Sequence, residues 1–355
     1  MTDHAPKFAL IGHPLDMPLF RAYINFLKPG KAFKDELLLK LFDWTPSYTA
    51  RSWTGLTFDG AKFMDGILIM VPFLPEMRDI SLRSIIEKVE KAIAIAAAEG
   101  CAAAALGAFT SIVLQGKEEE LAKRYGIALT SGNTTTAALI VRSLEELAAH
   151  RSGGLSGRTV AVIGASGDIG AGVTLWLGDK VKKMILSARN RALLDNFVAK
   201  NRHEFSCAVE ITTDNGDAIK KADVVVFVTS AYQPLFGVGD FNADSIVCDA
   251  SAPLNVRLDG ERRPDMFLYH GGIARLPVAV DPGFDLGLAA PDHLYGCMTE
   301  GILMTLNPDL PPSLGRGNIT KEKIQVYSKE LDRYHIPPAY SCGKEVLTLQ
   351  ENADT

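Results

Sequence analysis

The stretch Arg158-Thr-Val-Ala-Val-Ile-Gly164-Ala-Ser-Gly167-Asp-Ile-Gly170 decides the fold of this chain of 355 residues. Thr159 to Ile163 is β-branched and uncharged, which predicts a buried parallel strand. The apolar run from Ile169 to Leu177 predicts a helix. Glycines between a strand and a helix let the backbone turn sharply and bring the helix N-terminus close to a pyrophosphate. The stretch therefore predicts a dinucleotide site, and an ordinary strand–turn–helix is the alternative.

The next strand, Lys183 to Asn190, indicates which dinucleotide binds. Enzymes that use NAD usually place a carboxylate at the end of this strand, where it accepts from the ribose 2′-hydroxyl. This chain has Arg189 there, and a guanidinium can pair with a 2′-phosphate. The pattern favours NADPH, unless Arg189 is only a surface residue beyond the strand. The predicted cofactor-binding residues are Gly164, Ser166, Gly167, Asp168, Ile169, Gly170, Ser187, Arg189, Asn190 and Thr229.

Composition and charge limit the class of protein. Hydrophobic residues make up 47% and charged residues 22%, as in a globular protein with a large core. The net charge of −5 argues against nucleic acid as the main partner. No apolar stretch has the length of a membrane span, and the N-terminus has no secretory pattern. The five cysteines are irregularly spaced, which predicts neither a disulfide framework nor a metal site. We expect a cytoplasmic enzyme.

The order of elements predicts an α/β protein with a doubly wound parallel sheet of the Rossmann type. Strand and helix patterns alternate from the glycine-rich stretch onward, which is typical of right-handed crossovers with ligands at the strand carboxyl ends. The glycine/serine run 151–157 is a candidate domain boundary. The predicted parts are an N-terminal α/β substrate domain (1–152), a Rossmann domain (153–290) and a C-terminal helical portion (291–355).

Cys297 is the candidate nucleophile. It follows a glycine near the start of a predicted helix, where partial positive charge lowers a thiol pKa and favours the thiolate. His293, one turn earlier, is placed to help deprotonate it. A small core residue is the alternative role for this cysteine.

Two polar loops and one carboxylate are further candidates. The loops 107–111 and 131–136 follow predicted strands and could bind a carbonyl or a phosphate through backbone N–H groups and hydroxyls. The threonines of the second loop could equally serve only as a helix cap. Glu76, at another strand end, is either a functional carboxylate or a surface residue.

Several segments along the chain share one resemblance. They are Phe8 to His13, Phe73 to Met77, Ala105 to Ile112, Thr130 to Thr136, Val160 to Gly170, Leu186 to Asn190, His270 to Gly272 and the helix of Cys297. In this order they resemble the cyanobacterial-type long-chain acyl-[acyl-carrier-protein] reductases. The sequence departs from the family pattern at Thr135, where a histidine is expected, at Met298-Thr299 and at Ile273 to Pro277.

The resemblance implies a specific reaction. Members of that family reduce long-chain acyl-ACP or acyl-CoA to fatty aldehydes with NADPH, through an acyl group carried on a cysteine. Cys297 matches that nucleophile, and Gly164, Gly167, Gly170 and Arg189 match NADP-binding positions. A downstream aldehyde-consuming enzyme is a further expected partner.

Other functions remain open from the residues. One alternative is a shikimate-type dehydrogenase of a small polar substrate, which would not need Cys297. The other is a protein that senses NADPH and catalyses nothing. An acidic acyl carrier protein would need a basic docking surface. Such a surface, or merely a solvated face, is predicted from Lys88, Lys91, Lys180, Lys182 and Lys183.

Overall fold

The chain forms two compact units. The computed structural model describes residues 5–58, 63–75, 77, 80–114, 116–150, 154–231, 234–258, 263–315 and 317–349. Unit 1 comprises Met1–Gly132, Arg275–Gly315 and Glu330–Ile336, and unit 2 comprises Asn133–Ala274, Arg316–Lys329 and Pro337–Thr355.

This division differs from the expected boundary at residue 152. The chain passes from one unit to the other between Gly132 and Asn133 because the helix that follows packs with the glycine-rich half of the chain. The predicted C-terminal portion 291–355 is likewise shared between the two units.

Unit 1 is built on a five-stranded sheet with the order β2-β3-β1-β4-β5. Strand β1 pairs in parallel with β3 and β4, β4 pairs in parallel with β5, and β2 joins β3 antiparallel with register shifts. Its elements are β1 (Lys7–Gly12), α1 (Met17–Leu27), α2 (Asp35–Trp44), β2 (Tyr48–Thr57), β3 (Phe63–Met70), α3 (Leu82–Ala98), β4 (Ala103–Leu106), α4 (Phe109–Val113), α5 (Glu118–Tyr125), β5 (Ala128–Thr130), β15 (His293–Tyr295) and α10 (Gly296–Leu306).

Unit 2 contains the predicted Rossmann-type sheet. Six parallel strands follow the order β13-β11-β9-β6-β7-β8. This is the doubly wound order, with the topological switch point beside the strand of the glycine-rich turn. Its elements are α6 (Asn133–His150), β6 (Thr159–Ile163), α7 (Asp168–Leu177), β7 (Lys183–Ser187), α8 (Arg191–Lys200), β8 (Ala208–Thr212), α9 (Asn215–Lys220), β9 (Val224–Phe227), β10 (Phe236–Gly237), β11 (Ile246–Asp249), β12 (Val256–Arg257) and β13 (Phe267–His270).

The remaining elements are short or shared between the sequence ranges of the two units. They are β14 (Ile273–Arg275), α11 (Lys321–Arg333), β16 (Ser341–Cys342), β17 (Glu345–Val346) and two 3-10 turns at Arg202–Glu204 and Val238–Asp240. Within the described ranges, no helix combines the length and the apolar character that crossing a membrane requires.

Candidate active site

The glycine-rich turn leaves no room for side chains at two of its positions. Gly164 has a φ of +97°, and a Cβ built on it would lie 2.5 Å from the Val228 carbonyl oxygen. A Cβ on Gly170 would lie 2.3 Å from the Gly164 carbonyl oxygen. The Gly164 N–H donates to the Ser187 carbonyl at 2.8 Å and ties the turn to β7. The turn is therefore a tight backbone cradle of the kind that brings peptide N–H groups close to a phosphate.

The start of α7 faces solvent. Ser166 and Gly167 are exposed, and Gly167 stands at the N-cap, where it supplies no side-chain hydrogen bond. The Asp168 carboxylate accepts from the Gly317 N–H at 3.2 Å, and Ile169 is half-buried. The residues present thus fit a dinucleotide phosphate, since first-turn N–H groups without a side-chain cap form a ready anion site.

The end of β7 carries the predicted selectivity residues. Ser187 is buried, and its hydroxyl donates to Asn215 Oδ1 at 2.6 Å. Asn190 is exposed and caps α8 by accepting from the Leu193 N–H at 3.0 Å. The predicted roles of Ser187 and Asn190 in cofactor contact stay predictions, because both side chains already have structural partners.

Arg189 and Arg191 differ in their surroundings. Arg191 forms an ion pair with Asp195, four residues further along α8, at 3.1 Å. Arg189 is exposed, and no described residue pairs with it. Of the two guanidinium groups at this strand end, that of Arg189 is the one available to an anionic ligand.

Thr229, which follows β9, belongs to a hydrogen-bonded loop. Its N–H donates to Ser251 Oγ at 3.1 Å, and its hydroxyl donates to Asn255 Oδ1 at 2.5 Å. The buried Asp249 carboxylate accepts from the N–H groups of Ser251 (3.1 Å), Asn255 (2.6 Å) and Val256 (2.9 Å). Burial raises the pKa of Asp249 to about 6 against the opposing effect of these hydrogen bonds. Asp249 therefore organises the loop that holds Thr229, a role the sequence analysis missed.

Cys297 lies in the first turn of α10, where three glycines of unit 1 allow close packing. Gly132 has a φ of +70°, and a Cβ on it would lie 2.1 Å from both Cα and O of Cys297. A Cβ on Gly12 or on Gly107 would lie 3.1 Å from Met298 Cε. These glycines follow or end β5, β1 and β4, so the cysteine lies at the carboxyl edge of the parallel strands. This is where ligands bind in open α/β sheets.

The electrostatics of Cys297 differ from the simple expectation for a helix start. Backbone hydrogen bonds from Ala108 and Met298 lower the pKa of the thiol, as expected there. Burial has the larger effect, so the pKa of Cys297 is raised overall, and the Glu300 carboxylate adds to the increase. Ala108 has a φ of +52°, which is unusual for a residue with a side chain and marks local backbone strain. The strained backbone presents its N–H to the sulfur.

His293 does not have the environment of a ready base. It lies on β15, is 4% exposed, and burial lowers its pKa. Its Nδ1 has no hydrogen-bond partner among the described residues. The predicted help of His293 in deprotonating the thiol stays a prediction.

A buried glutamate supports the cysteine turn. Glu300 is fully buried and accepts from the Thr130 hydroxyl and, at 3.1 Å, from the Ser313 N–H. The Thr130 oxygen in turn accepts from the Gly132 N–H at 3.0 Å. The chain Glu300–Thr130–Gly132 therefore links α10 to the glycine that touches Cys297. Its sequence signal was a charged residue in an otherwise apolar helix, three positions after the cysteine.

His13, at the end of β1, is a neutral connector within the same edge. Its Nδ1 is 2.8 Å from the Pro14 carbonyl oxygen, and its Nε2 accepts from the Phe109 N–H at 3.2 Å. Burial lowers the pKa of His13 to about 4. The neutral ring thus joins the loop after β1 to the polar loop that carries Ala108.

The polar loops have separate structural fates. Within 107–111, the Thr110 hydroxyl donates to the Gly107 carbonyl at 2.7 Å and the Ser111 hydroxyl donates to the Ala108 carbonyl at 3.2 Å. In the second loop, α6 begins at Asn133, so its threonines lie in a helix start with Thr134 and Thr135 fully buried. Glu76, and also Tyr232 beyond Thr229, lie outside the described residues.

The predicted lysine docking surface needs one correction. Lys88 is buried, and its ammonium donates to the carbonyls of Phe42 (3.1 Å), Asp43 (2.6 Å), Thr45 (2.9 Å) and Pro72 (2.8 Å). It is wrong as a docking residue because a cation held by four carbonyls inside unit 1 cannot reach a partner. The other members are partly or fully exposed: Lys91 and Lys182 at the surface, Lys183 bound to Glu210, and Lys180 over the Trp176 ring.

The other cysteines lack the setting of Cys297. All five are free thiols. Burial raises the pKa of Cys101 to about 11 and that of Cys248 to about 12, as expected of packing residues. Cys207 is buried and Cys342 is half-buried. In the part of the chain that the structure describes, no group of three or more His, Cys, Asp or Glu could hold a metal ion.

The fold and the paired features, a glycine cradle in a doubly wound sheet and a cysteine at a helix start, can now be set beside known proteins. No family model matches the sequence. The chain is 28% identical to the long-chain acyl-[acyl-carrier-protein] reductase of Synechococcus elongatus, over 93% of this chain and 98% of that protein. This likeness along nearly the whole length supports a relation to that reductase.

Solved structures show only partial likeness. The nucleotide-binding domain of glutamyl-tRNA reductase from Thermoplasma volcanium is 18% identical with a TM-score of 0.27, over 38% of this chain and 84% of that one. A polypeptide of dipicolinate synthase from Bacillus halodurans is 14% identical with a TM-score of 0.30, over 53% of this chain and 60% of that one. At such TM-scores these likenesses support no conclusion about function.

Proposed function

We propose that this protein is an NADPH-dependent reductase that converts a long-chain acyl thioester, acyl-ACP or acyl-CoA, to the fatty aldehyde through an acyl group on Cys297. The observation that carries the proposal is the position of Cys297 in the first turn of α10, against Gly132 and with backbone N–H groups of Ala108 and Met298 at its sulfur. The relation to an acyl-[acyl-carrier-protein] reductase over 93% of the chain supports the same reaction.

We assign the dinucleotide to unit 2 and the thioester to unit 1. The cradle at Gly164 and Gly170, which a Cβ would fill, and the uncapped start of α7 would hold the pyrophosphate. Arg189 would pair with the 2′-phosphate, which is why NADPH is proposed rather than NADH. Bound NADPH supplies the hydride that reduces the acyl group.

Cys297 performs the covalent chemistry in this proposal. Its thiolate attacks the thioester carbonyl carbon, and the carrier leaves as a thiolate that takes up a proton. The N–H groups of Ala108 and Met298 stabilise the sulfur anion before attack and after the aldehyde leaves, when the bond between sulfur and carbon breaks. Burial keeps water away from the acyl group in the interval.

The Glu300–Thr130–Gly132 chain has a positioning role in the proposed reaction. It holds α10 and the end of β5 in one arrangement, so that the sulfur and the two N–H groups keep their mutual geometry. Because Glu300 also raises the pKa of the thiol, it keeps Cys297 protonated until substrate is in place.

We further propose a cytoplasmic enzyme that delivers its aldehyde to a downstream aldehyde-consuming enzyme. The relation to a reductase named for acyl carrier protein supports an acidic carrier as the substrate donor. With Lys88 excluded, Lys91, Lys180, Lys182 and Lys183 remain as the basic residues proposed to dock it.

The proposal is tested by measuring aldehyde and NADPH oxidation with palmitoyl-ACP and palmitoyl-CoA. Cys297→Ser is expected to lower turnover by about a thousandfold or more, because a hydroxyl cannot replace the thiolate. Cys342→Ser, at another half-buried cysteine, is the matched control and is expected to keep full activity. Full turnover of Cys297→Ser would select the shikimate-type alternative. Tight NADPH binding without oxidation by any thioester would select the sensor.

A further inference from the structure

Helix α2 carries an apolar stripe that the chain itself leaves uncovered. Leu37, Leu41 and Trp44 recur at helical spacing on one face and are 49%, 47% and 78% exposed. The opposite face is ordinary core, since Leu38 and Phe42 are buried in a cluster with residues of α1. The stripe is therefore not needed to hold α2 in place.

Unpaired lysines surround the stripe. Lys28, Lys31 and Lys34 lie in the segment that leads into α2, and Lys40 lies within the helix beside the stripe. All four are exposed, and no described residue forms an ion pair with them. The acidic residues of 28–44 are Asp35, Glu36 and Asp43, and the first of these is neutralised by Arg21 at 2.6 Å. The segment is locally basic in a chain whose net charge is −5.

We propose that α2 and the segment before it bind the surface of an anionic lipid bilayer, with the stripe of Leu37, Leu41 and Trp44 inserted at the headgroup level. An amphipathic helix with leucine and tryptophan on one side and lysines around it fits this surface on both counts. The apolar side chains gain from burial at the acyl boundary, and the lysines are attracted to anionic headgroups.

The chemistry of the patch favours a bilayer over a protein partner. An acidic carrier protein would be met by lysines alone and would leave three large apolar side chains without use. A second copy of the chain would bring the four lysines towards each other, which costs free energy through like-charge repulsion. A lipid surface satisfies both the apolar and the basic residues at once.

The test is cosedimentation of the full-length protein with vesicles, without NADPH or thioester, so that it is independent of the proposed reaction. We expect binding to vesicles of phosphatidylcholine with phosphatidylglycerol, weak binding to phosphatidylcholine alone, and a blue shift of tryptophan emission on binding. Trp44→Ser should weaken binding by about tenfold or more. The double variant Lys31→Ala/Lys34→Ala should weaken it by about 30-fold and reduce its salt dependence.

The controls are exposed residues elsewhere in unit 1. Leu82→Ser removes an apolar side chain that is 60% exposed, and Lys123→Ala removes an exposed lysine of α5. Both should bind vesicles as the wild type does. The proposal is overturned if the wild type does not bind anionic vesicles or if Trp44→Ser binds them equally well. It is also overturned if the stripe variants instead dissociate a dimer or lose only carrier-protein binding.

Discussion

Replacing Gly132 with alanine tests the packing that places Cys297. The new Cβ would lie 2.1 Å from Cα of Cys297, whereas ordinary contacts begin at 3.4 Å, so β5 and α10 must separate by about 1.3 Å. The φ of +70° adds about 1 kcal/mol of strain for a residue with a side chain. A displacement of about 1 Å at a reacting group costs about 100-fold in rate, and we expect that loss in the acylation of Cys297.

Gly126→Ala is the matched control for this substitution. Gly126 has a φ of +64°, in the same unit, but a Cβ there meets nothing within 4 Å. It should lose only the strain of about 1 kcal/mol, seen as a lower melting temperature, and keep its acylation rate. The assay is single-turnover acylation of each variant by palmitoyl-CoA, with circular dichroism to confirm folding. If folded Gly132→Ala were acylated as fast as Gly126→Ala, the reasoning about the close approach would be refuted.

Three further predictions concern the cofactor, the thiol and the buried lysine. Arg189→Ala should raise the KM for NADPH by about tenfold or more and leave that for NADH unchanged, because only NADPH has the 2′-phosphate. Alkylation of Cys297 by iodoacetamide should accelerate by about tenfold per pH unit from neutral pH to about pH 9, because burial raises the thiol pKa and only the thiolate reacts. Lys88→Met should lower the free energy of unfolding by about 3 kcal/mol in urea denaturation, because four carbonyls lose their donor.

Each of these three predictions has its own contrary result. Arg191→Ala, whose guanidinium is paired with Asp195, should leave both KM values unchanged, and an equal effect of the two arginine variants would remove the argument for NADPH. A rate of alkylation that is already constant above pH 7 would show a thiolate rather than a thiol. Lys91→Met should change stability by less than about 0.5 kcal/mol, and a similar value for Lys88→Met would restore Lys88 as a surface residue.

Local patterns in the sequence predicted the elements that carry the candidate cofactor site. The strand Thr159–Ile163 is confirmed residue for residue, because a β-branched run bounded by Arg158 and Gly164 has clear limits. The helix after it begins at Asp168 rather than at Ile169. The predicted strand 66–73 is instead β3, Phe63–Met70, because Pro72 removes a backbone donor beyond that strand.

Features that depend on tertiary packing were not predictable. The helices α1 and α2 were missed, since their apolar residues serve both the core and the exposed stripe and so blur the periodicity. The segment 294–306 was predicted as one helix, whereas His293–Tyr295 forms β15 and the helix begins at Gly296. The burial of Lys88 and of Glu300 and the raised pKa of Cys297 follow from neighbours distant in sequence, which no local pattern reveals.

The most direct test of the central proposal is the intact mass of the protein after mixing with palmitoyl-CoA or palmitoyl-ACP in the absence of NADPH. The account predicts an adduct of one acyl group that maps to Cys297 and disappears when NADPH is added, as palmitaldehyde forms. Absence of the adduct together with absence of NADPH oxidation would contradict the account and leave the fold without the proposed thioester chemistry.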